Sequence, residues 1–209
     1  MYKLILASQS PRRKELLKMI ESEFEIKVSN CKEIITSSEP KQVTMELAEQ
    51  KAMAVATELN RQKKNDKQIE TTVKDEDSFI VIGADTVVAS GTEIFGKPKD
   101  KDDARRMINK ISGASHQVYT GVALVLVKGG KVERIDVFSE KTDVEVVHMS
   151  IQEIEEYISS TEPYDKAGGY GIQGTFGKYV TGIKGDYNNV VGLPVCRLYN
   201  ELKKCTKNI

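Results

Sequence analysis

The chain has 209 residues, and 31 lysines and arginines balance 31 aspartates and glutamates, so its formal charge is zero. It is long enough to bury a core without disulfide or metal staples, and it has no global pull toward nucleic acid or an anionic membrane. Its three cysteines (Cys31, Cys196, Cys205) form no CxxC pair and its two histidines (His116, His148) lie far apart, which speaks against a secreted disulfide framework and a structural zinc site. Residues 1–7 hold too short an apolar run for a signal peptide, and no stretch reaches membrane-spanning length, so a soluble cytoplasmic protein is expected.

Residues 3–7 read as a short buried strand. Ser10 is a good helix N-cap with Pro11 at the first helical position, and Leu16, Leu17 and Ile20 recur at helical spacing. Residues 24–28 alternate as a second strand, and 29–41 read as a polar loop. A helical pattern runs from 43 to about 61. Residues 60–77 are almost all polar and read as a solvated insertion or loop, with no domain linker implied; the chain is taken as one domain over 1–209. Residues 79–88 form an unbroken apolar strand of the kind covered on both faces. A turn near Gly91 leads through the Gly96-Lys-Pro-Lys99 turn to a helix from about 102 to 111. Strands follow at 118–128, 132–139 and 141–148, the first two joined by a hairpin turn at Gly129-Gly130. Ser150 and Glu153 make a capping box for a helix to about 159. Residues 166–195 are rich in glycine and precede a final helix, 195–203. This order predicts an α/β protein with a mixed sheet and two lobes around a cleft.

Four groups of residues carry chemistry. Arg12, Arg13 and Lys14 sit in the first turn of a helix, where cations are disfavoured by the helix dipole. With Ser8, Ser10 and the free N–H groups they make an anion site, the bland alternative being a solvated basic face. Asp85 is a carboxylate inside an apolar strand, costly unless used or paired. It is a candidate for holding a metal ion or deprotonating water, or else for capping a neighbouring loop. Lys97 lies in a rigid turn that could aim an ammonium group and Lys51 falls on the long helix, although either alone reads more simply as solvated. Gln173, among the glycines and near Tyr170, is placed to read a base edge. His116 reads as structural. No P-loop, dinucleotide fingerprint or nucleophile elbow is present.

The segments LASQSPRRKELL (6–17), EQKA (49–52), GADTVV (83–88), GKPKD (96–100), SGASHQVYTGVAL (112–124), EPYDKAGGYGIQG (162–174) and NNVVGLP (188–194) together resemble the Maf family of nucleoside triphosphate pyrophosphatases, in order and across nearly the whole chain. The resemblance implies a Maf/inosine-triphosphatase-like mixed sheet flanked by helices. It implies hydrolysis of a nucleoside triphosphate to the monophosphate and pyrophosphate, with a divalent metal, Mg or Mn, as cofactor. On it, Asp85 is the base; Ser8, Arg13, Lys51 and Lys97 bind phosphate; and Glu33 is a metal ligand, with Asp85 a possible second. Arg12, Thr86 and Gln173 match the dTTP/UTP-type pattern, which extends to modified pyrimidine triphosphates. The 7-methyl-GTP branch and a nucleotide-binding regulator of cell division or septum formation are the alternatives. A homodimer is a family expectation; neither nucleic acid nor membrane is expected as a partner.

Overall fold

The computed structural model describes residues 2–29, 31–66 and 78–207. Seven strands form one mixed sheet, of which six follow the order β2-β1-β3-β5-β6-β7. These are β1 (Lys3–Leu6), β2 (Glu25–Ile26), β3 (Phe79–Ser90), β5 (Ser115–Lys128), β6 (Lys131–Val146) and β7 (Val180–Lys184). The seventh, β4 (Glu93–Phe95), pairs antiparallel with the far end of β3. Helices α1 (Pro11–Leu17), α2 (Pro40–Asp66), α3 (Lys101–Ile111), α4 (Ile151–Ile158), α5 (Tyr187–Val191) and α6 (Val195–Lys207) flank it.

The unbroken apolar character of β3 follows from burial on both sides. Ile80, Ile82 and Ala84 face a cluster with Leu16 and Leu17 of α1 and Leu198 and Leu202 of α6. Phe79 and Val81 face Ala48, Ala52, Val55 and Ala56 of α2. A separate cluster joins Val88, Phe95, α3, α4 and the aromatic residues Tyr170, Phe176 and Tyr179. The two lobes expected from sequence are these two packing regions, strung along one pair of long strands.

The lobes meet along one edge of β3. Its other edge pairs with β5 from Phe79 to Ala89. On the near edge, parallel β1 covers Phe79 to Ile82 and antiparallel β4 covers Val88 to Ser90. No described strand covers residues 83–87, and Asp85 lies at the centre of that gap. Asp85 is therefore in mid-strand, and the strand that ends beside it is β1.

Helix α2 lies unusually close to the sheet. A Cβ at Gly83 would fall 2.2 Å from the Ala48 carbonyl oxygen, and one at Gly121 would fall 2.2 Å from that of Thr44. Gly121 is the β5 partner of Asp85. Alanines on the helix and glycines on the strands thus let backbone rest on backbone.

Several boundaries differ from the sequence reading. The segment 24–28 pairs only at Glu25–Ile26. Residues 60–66 continue α2 rather than forming a loop; the remainder of the 60–77 insertion lies outside the described residues. The strands expected at 132–139 and 141–148 are one strand, because pairing with β5 runs straight through Ser139, Glu140 and Lys141. The Gly129-Gly130 hairpin is present, with φ of 55° and 75°, and so is the Ser150–Glu153 capping box.

His116 is wholly buried, with Nε2 2.7 Å from the Tyr170 hydroxyl. Burial lowers its pKa from 6.5 to about 4. The unfolded chain therefore takes up a proton between those values that the folded chain refuses, and stability falls as pH drops through that window, by up to about 1.4 kcal/mol per pH unit. Urea unfolding of His116→Leu at pH 7, 5.5 and 4.5 should show a pH slope shallower by about one proton. A Gly121→Ala variant should lose about 1–3 kcal/mol in the same assay, because the helix must move off the sheet.

Candidate active site

The gap in β3 opens into a cleft of about 1020 Å³, and the nine residues to which the family resemblance gives roles line it: Ser8, Arg12, Arg13, Glu33, Lys51, Asp85, Thr86, Lys97 and Gln173. Ser8 follows β1, and Arg12 and Arg13 come from α1. Glu33 lies before α2, which carries Lys51. Asp85 and Thr86 are consecutive on β3 and face opposite sides of the sheet. Both border the cleft because the edge of β3 is bare there.

The close seat of α2 places Lys51 against Asp85. Lys51 Nζ lies 2.5 Å from Asp85 Oδ1 and 3.0 Å from Glu33 Oε1. The Lys51 and Asp85 side chains keep only 19% and 16% of their exposure, so their pairing is sheltered from screening, whereas Glu33, at 49%, meets solvent. This answers the cost of a carboxylate in an apolar strand.

On the other face Arg13 is held at three points. Nε donates to the Gly192 carbonyl at 2.9 Å, Nη2 to Thr86 Oγ1 at 3.0 Å and Nη1 to Ser8 Oγ at 3.3 Å. Burial lowers its pKa and the nearby Asp85 charge works against that; an arginine stays cationic regardless. Gly192 closes α5 at φ 128°, a conformation that favours glycine.

Arg12 turns the other way. Its Nη1 donates to Asp165 Oδ2 at 3.1 Å, tying α1 to the glycine-rich segment across the cleft. Against the upward pull of burial, hydrogen bonds from Lys166 and Arg12 hold the Asp165 carboxyl below its usual range. Lys14 does not line the cleft, so of the three cations in the first turn of α1 only Arg12 and Arg13 border it. Ser10 nevertheless caps the helix, accepting from the Arg13 N–H.

Lys97 is exposed on its turn and has no carboxylate partner among the described residues. Its turn is fixed by a 2.9 Å bond from the Gly168 N–H to the Gly96 carbonyl. Gln173 is exposed on a loop anchored by Glu162, which accepts from Thr175 N at 2.9 Å and Thr175 Oγ1 at 2.7 Å. Burial works to raise the Glu162 pKa, but these bonds outweigh it. Asp165, Glu162 and Gly192 are cleft-building residues that the sequence reading did not single out. Each acts through a partner far along the chain or through a backbone carbonyl, and neither leaves a local signal.

No described helix is long and apolar enough to cross a membrane. The family model for Maf-like protein matches residues 3–205, and the chain belongs to the Maf family. A protein of Agathobacter rectalis named dTTP/UTP pyrophosphatase is 51% identical, covering 98% of each chain. Proteins of the same name from Lachnoclostridium phytofermentans and Bacillus cereus are each 44% identical over 98% of this chain and 95% and 96% of their own. Among solved structures, that of a HAM1 protein from Coxiella burnetii aligns over 98% of this chain and all of its own, with 12% identity and a TM-score of 0.49, a loose likeness.

The three-point hold on Arg13 depends on its planar fork. Arg13→Lys keeps the charge but loses at least two of the three bonds, and should lower the urea-derived stability by about 1–3 kcal/mol.

Proposed function

We propose that the chain is a cytoplasmic nucleoside triphosphate pyrophosphatase that hydrolyses dTTP and UTP to the monophosphate and pyrophosphate. The observation that carries this reading is the Lys51–Asp85 pair set beside the anchored Arg13 guanidinium in one cleft. The names of the full-length relatives support the substrate class.

In this reading Asp85 is the general base. Lys51 engages Oδ1, which leaves Oδ2 to take the proton of an attacking water. The oxygen of that water bonds to phosphorus, and pyrophosphate leaves with the bonding electrons. Arg13, Lys51 and Lys97 offset the charge that builds on the phosphate oxygens, and Ser8 adds a hydroxyl to the same grip. No covalent enzyme intermediate is required. Arg12, Thr86 and Gln173 select the nucleoside.

The donor set fits a divalent ion. Glu33 and Asp85 already share one cation, the Lys51 ammonium, between hard oxygen donors. No group of three or more His, Cys, Asp or Glu suited to a metal occurs among the described residues. Glu33 and Asp85 would hold a magnesium or manganese ion there. When bound it supplies positive charge against the triphosphate.

Asp85→Asn should lower kcat on dTTP and UTP by roughly 10²–10⁴-fold while leaving the unfolding midpoint near that of the wild type; a fully active variant removes Asp85 from the role. Initial rates on dTTP, UTP, CTP and 7-methyl-GTP test the substrate class. Preference for dTTP and UTP is expected, and a lead of an order of magnitude for 7-methyl-GTP overturns the assignment of Arg12, Thr86 and Gln173.

A further inference from the structure

Behind the cleft, three hydroxyl-bearing or carbonyl groups continue inward from Arg13. Thr86 Oγ1 accepts from Arg13 Nη2 at 3.0 Å and lies 3.0 Å from Thr120 Oγ1. Thr120 Oγ1 in turn donates to the Asn189 backbone carbonyl at 3.0 Å. That carbonyl is fixed, since Asn189 is wholly buried and its Nδ2 donates to the Val118 carbonyl and to Thr142 Oγ1, each at 3.0 Å. Thr120 is also wholly buried, and neither it nor Asn189 lines the cleft.

Counting protons sets the direction of this chain. A threonine hydroxyl has one hydrogen and two lone pairs. A carbonyl oxygen only accepts, so the single Thr120 hydrogen goes to Asn189. The bond between the two threonines must then use the Thr86 hydrogen. One Thr86 lone pair is taken by Arg13. What Thr86 has left for the cleft is one lone pair and no hydrogen.

We propose that Thr120 is a specificity-positioning residue: by committing the Thr86 hydrogen inward, it makes Thr86 an acceptor-only group that selects nucleotides offering a hydrogen-bond donor on the nucleoside. Phosphate oxygens, which only accept at neutral pH, are excluded as its partner. The donor is either the imide N–H shared by uracil and thymine, which cytosine lacks, or a sugar hydroxyl. The proposal rests on the reading of the cleft as a nucleotide site and adds a residue, Thr120, that never meets the substrate. With the Thr120 hydroxyl gone, Thr86 regains a free hydrogen and can turn it outward as a donor.

The test compares kcat/KM for UTP against CTP, and for dTTP against 2′,3′-dideoxythymidine triphosphate, in wild type, Thr120→Val and Thr120→Ser. Thr120→Val should lower one ratio about three- to tenfold, the scale of one hydrogen bond: the UTP/CTP ratio if the donor is the base, the dTTP/dideoxy ratio if it is the sugar. Thr120→Ser keeps the hydroxyl and should keep both ratios. Both ratios unchanged in Thr120→Val, an equal loss on every substrate, or a loss in Thr120→Ser as large as in Thr120→Val overturns the proposal. If Thr120→Val does not fold, Thr120→Cys, whose thiol is a weak hydrogen-bonding group, replaces it with the same expectation. If wild type turns over none of these nucleotides, the proposed reaction fails, and the Tm rise induced by each nucleotide is compared instead. A wild-type preference lost in Thr120→Val then supports the proposal, an unchanged preference overturns it, and no rise with any nucleotide overturns both readings.

Discussion

The seat of helix α2 on the sheet is the constraint from which the cleft follows. Backbone meets backbone only because Gly83 and Gly121 have no side chain, facing Ala48 and Thr44. At that separation Lys51 reaches Asp85, and a carboxylate otherwise intolerable in an apolar strand becomes half of a sheltered ion pair. A larger residue at either glycine would cost packing energy and would also part the pair. Stability and site geometry are here one and the same contact.

The second constraint is topological. Parallel β1 covers one stretch of the β3 edge and antiparallel β4 another, leaving residues 83–87 uncovered between two packed lobes. Two adjacent residues can then serve one cleft from opposite faces of the sheet. Asp85 works with Lys51 on the α2 face, and Thr86 works with Arg13 on the α1 face. Although the chain is neutral overall, the cleft gathers Arg12, Arg13, Lys51, Lys97 and Lys166 against Glu33, Asp85 and Asp165, a local excess of positive charge.

Features set by local chemistry were legible in the sequence. The double-sided burial of β3 shows in its unbroken apolar run, the start of α4 in Ser150 and Glu153, and the β5–β6 hairpin in two glycines able to take positive φ. The nine residues to which the family resemblance gives roles share one cleft. What stayed hidden depends on distant partners. Nothing near Ser139 says that pairing with β5 carries β6 straight through it. The 166–195 stretch reads as glycine-rich, yet it folds into short turns, β7 and α5: Glu162 holds the turn at Thr175, β6 pairs with β7, and Asp186 caps α5. That Arg12 and Arg13 diverge, one to Asp165 and one to Gly192, is settled by residues more than 150 positions away.

The central claim is that this cleft cleaves a triphosphate so that pyrophosphate leaves intact. Phosphorus NMR of the full-length protein turning over dTTP with magnesium tests it directly. Equal growth of dTMP and pyrophosphate, with no orthophosphate, is the predicted result; dTDP with orthophosphate, or no turnover of dTTP or UTP, would contradict it.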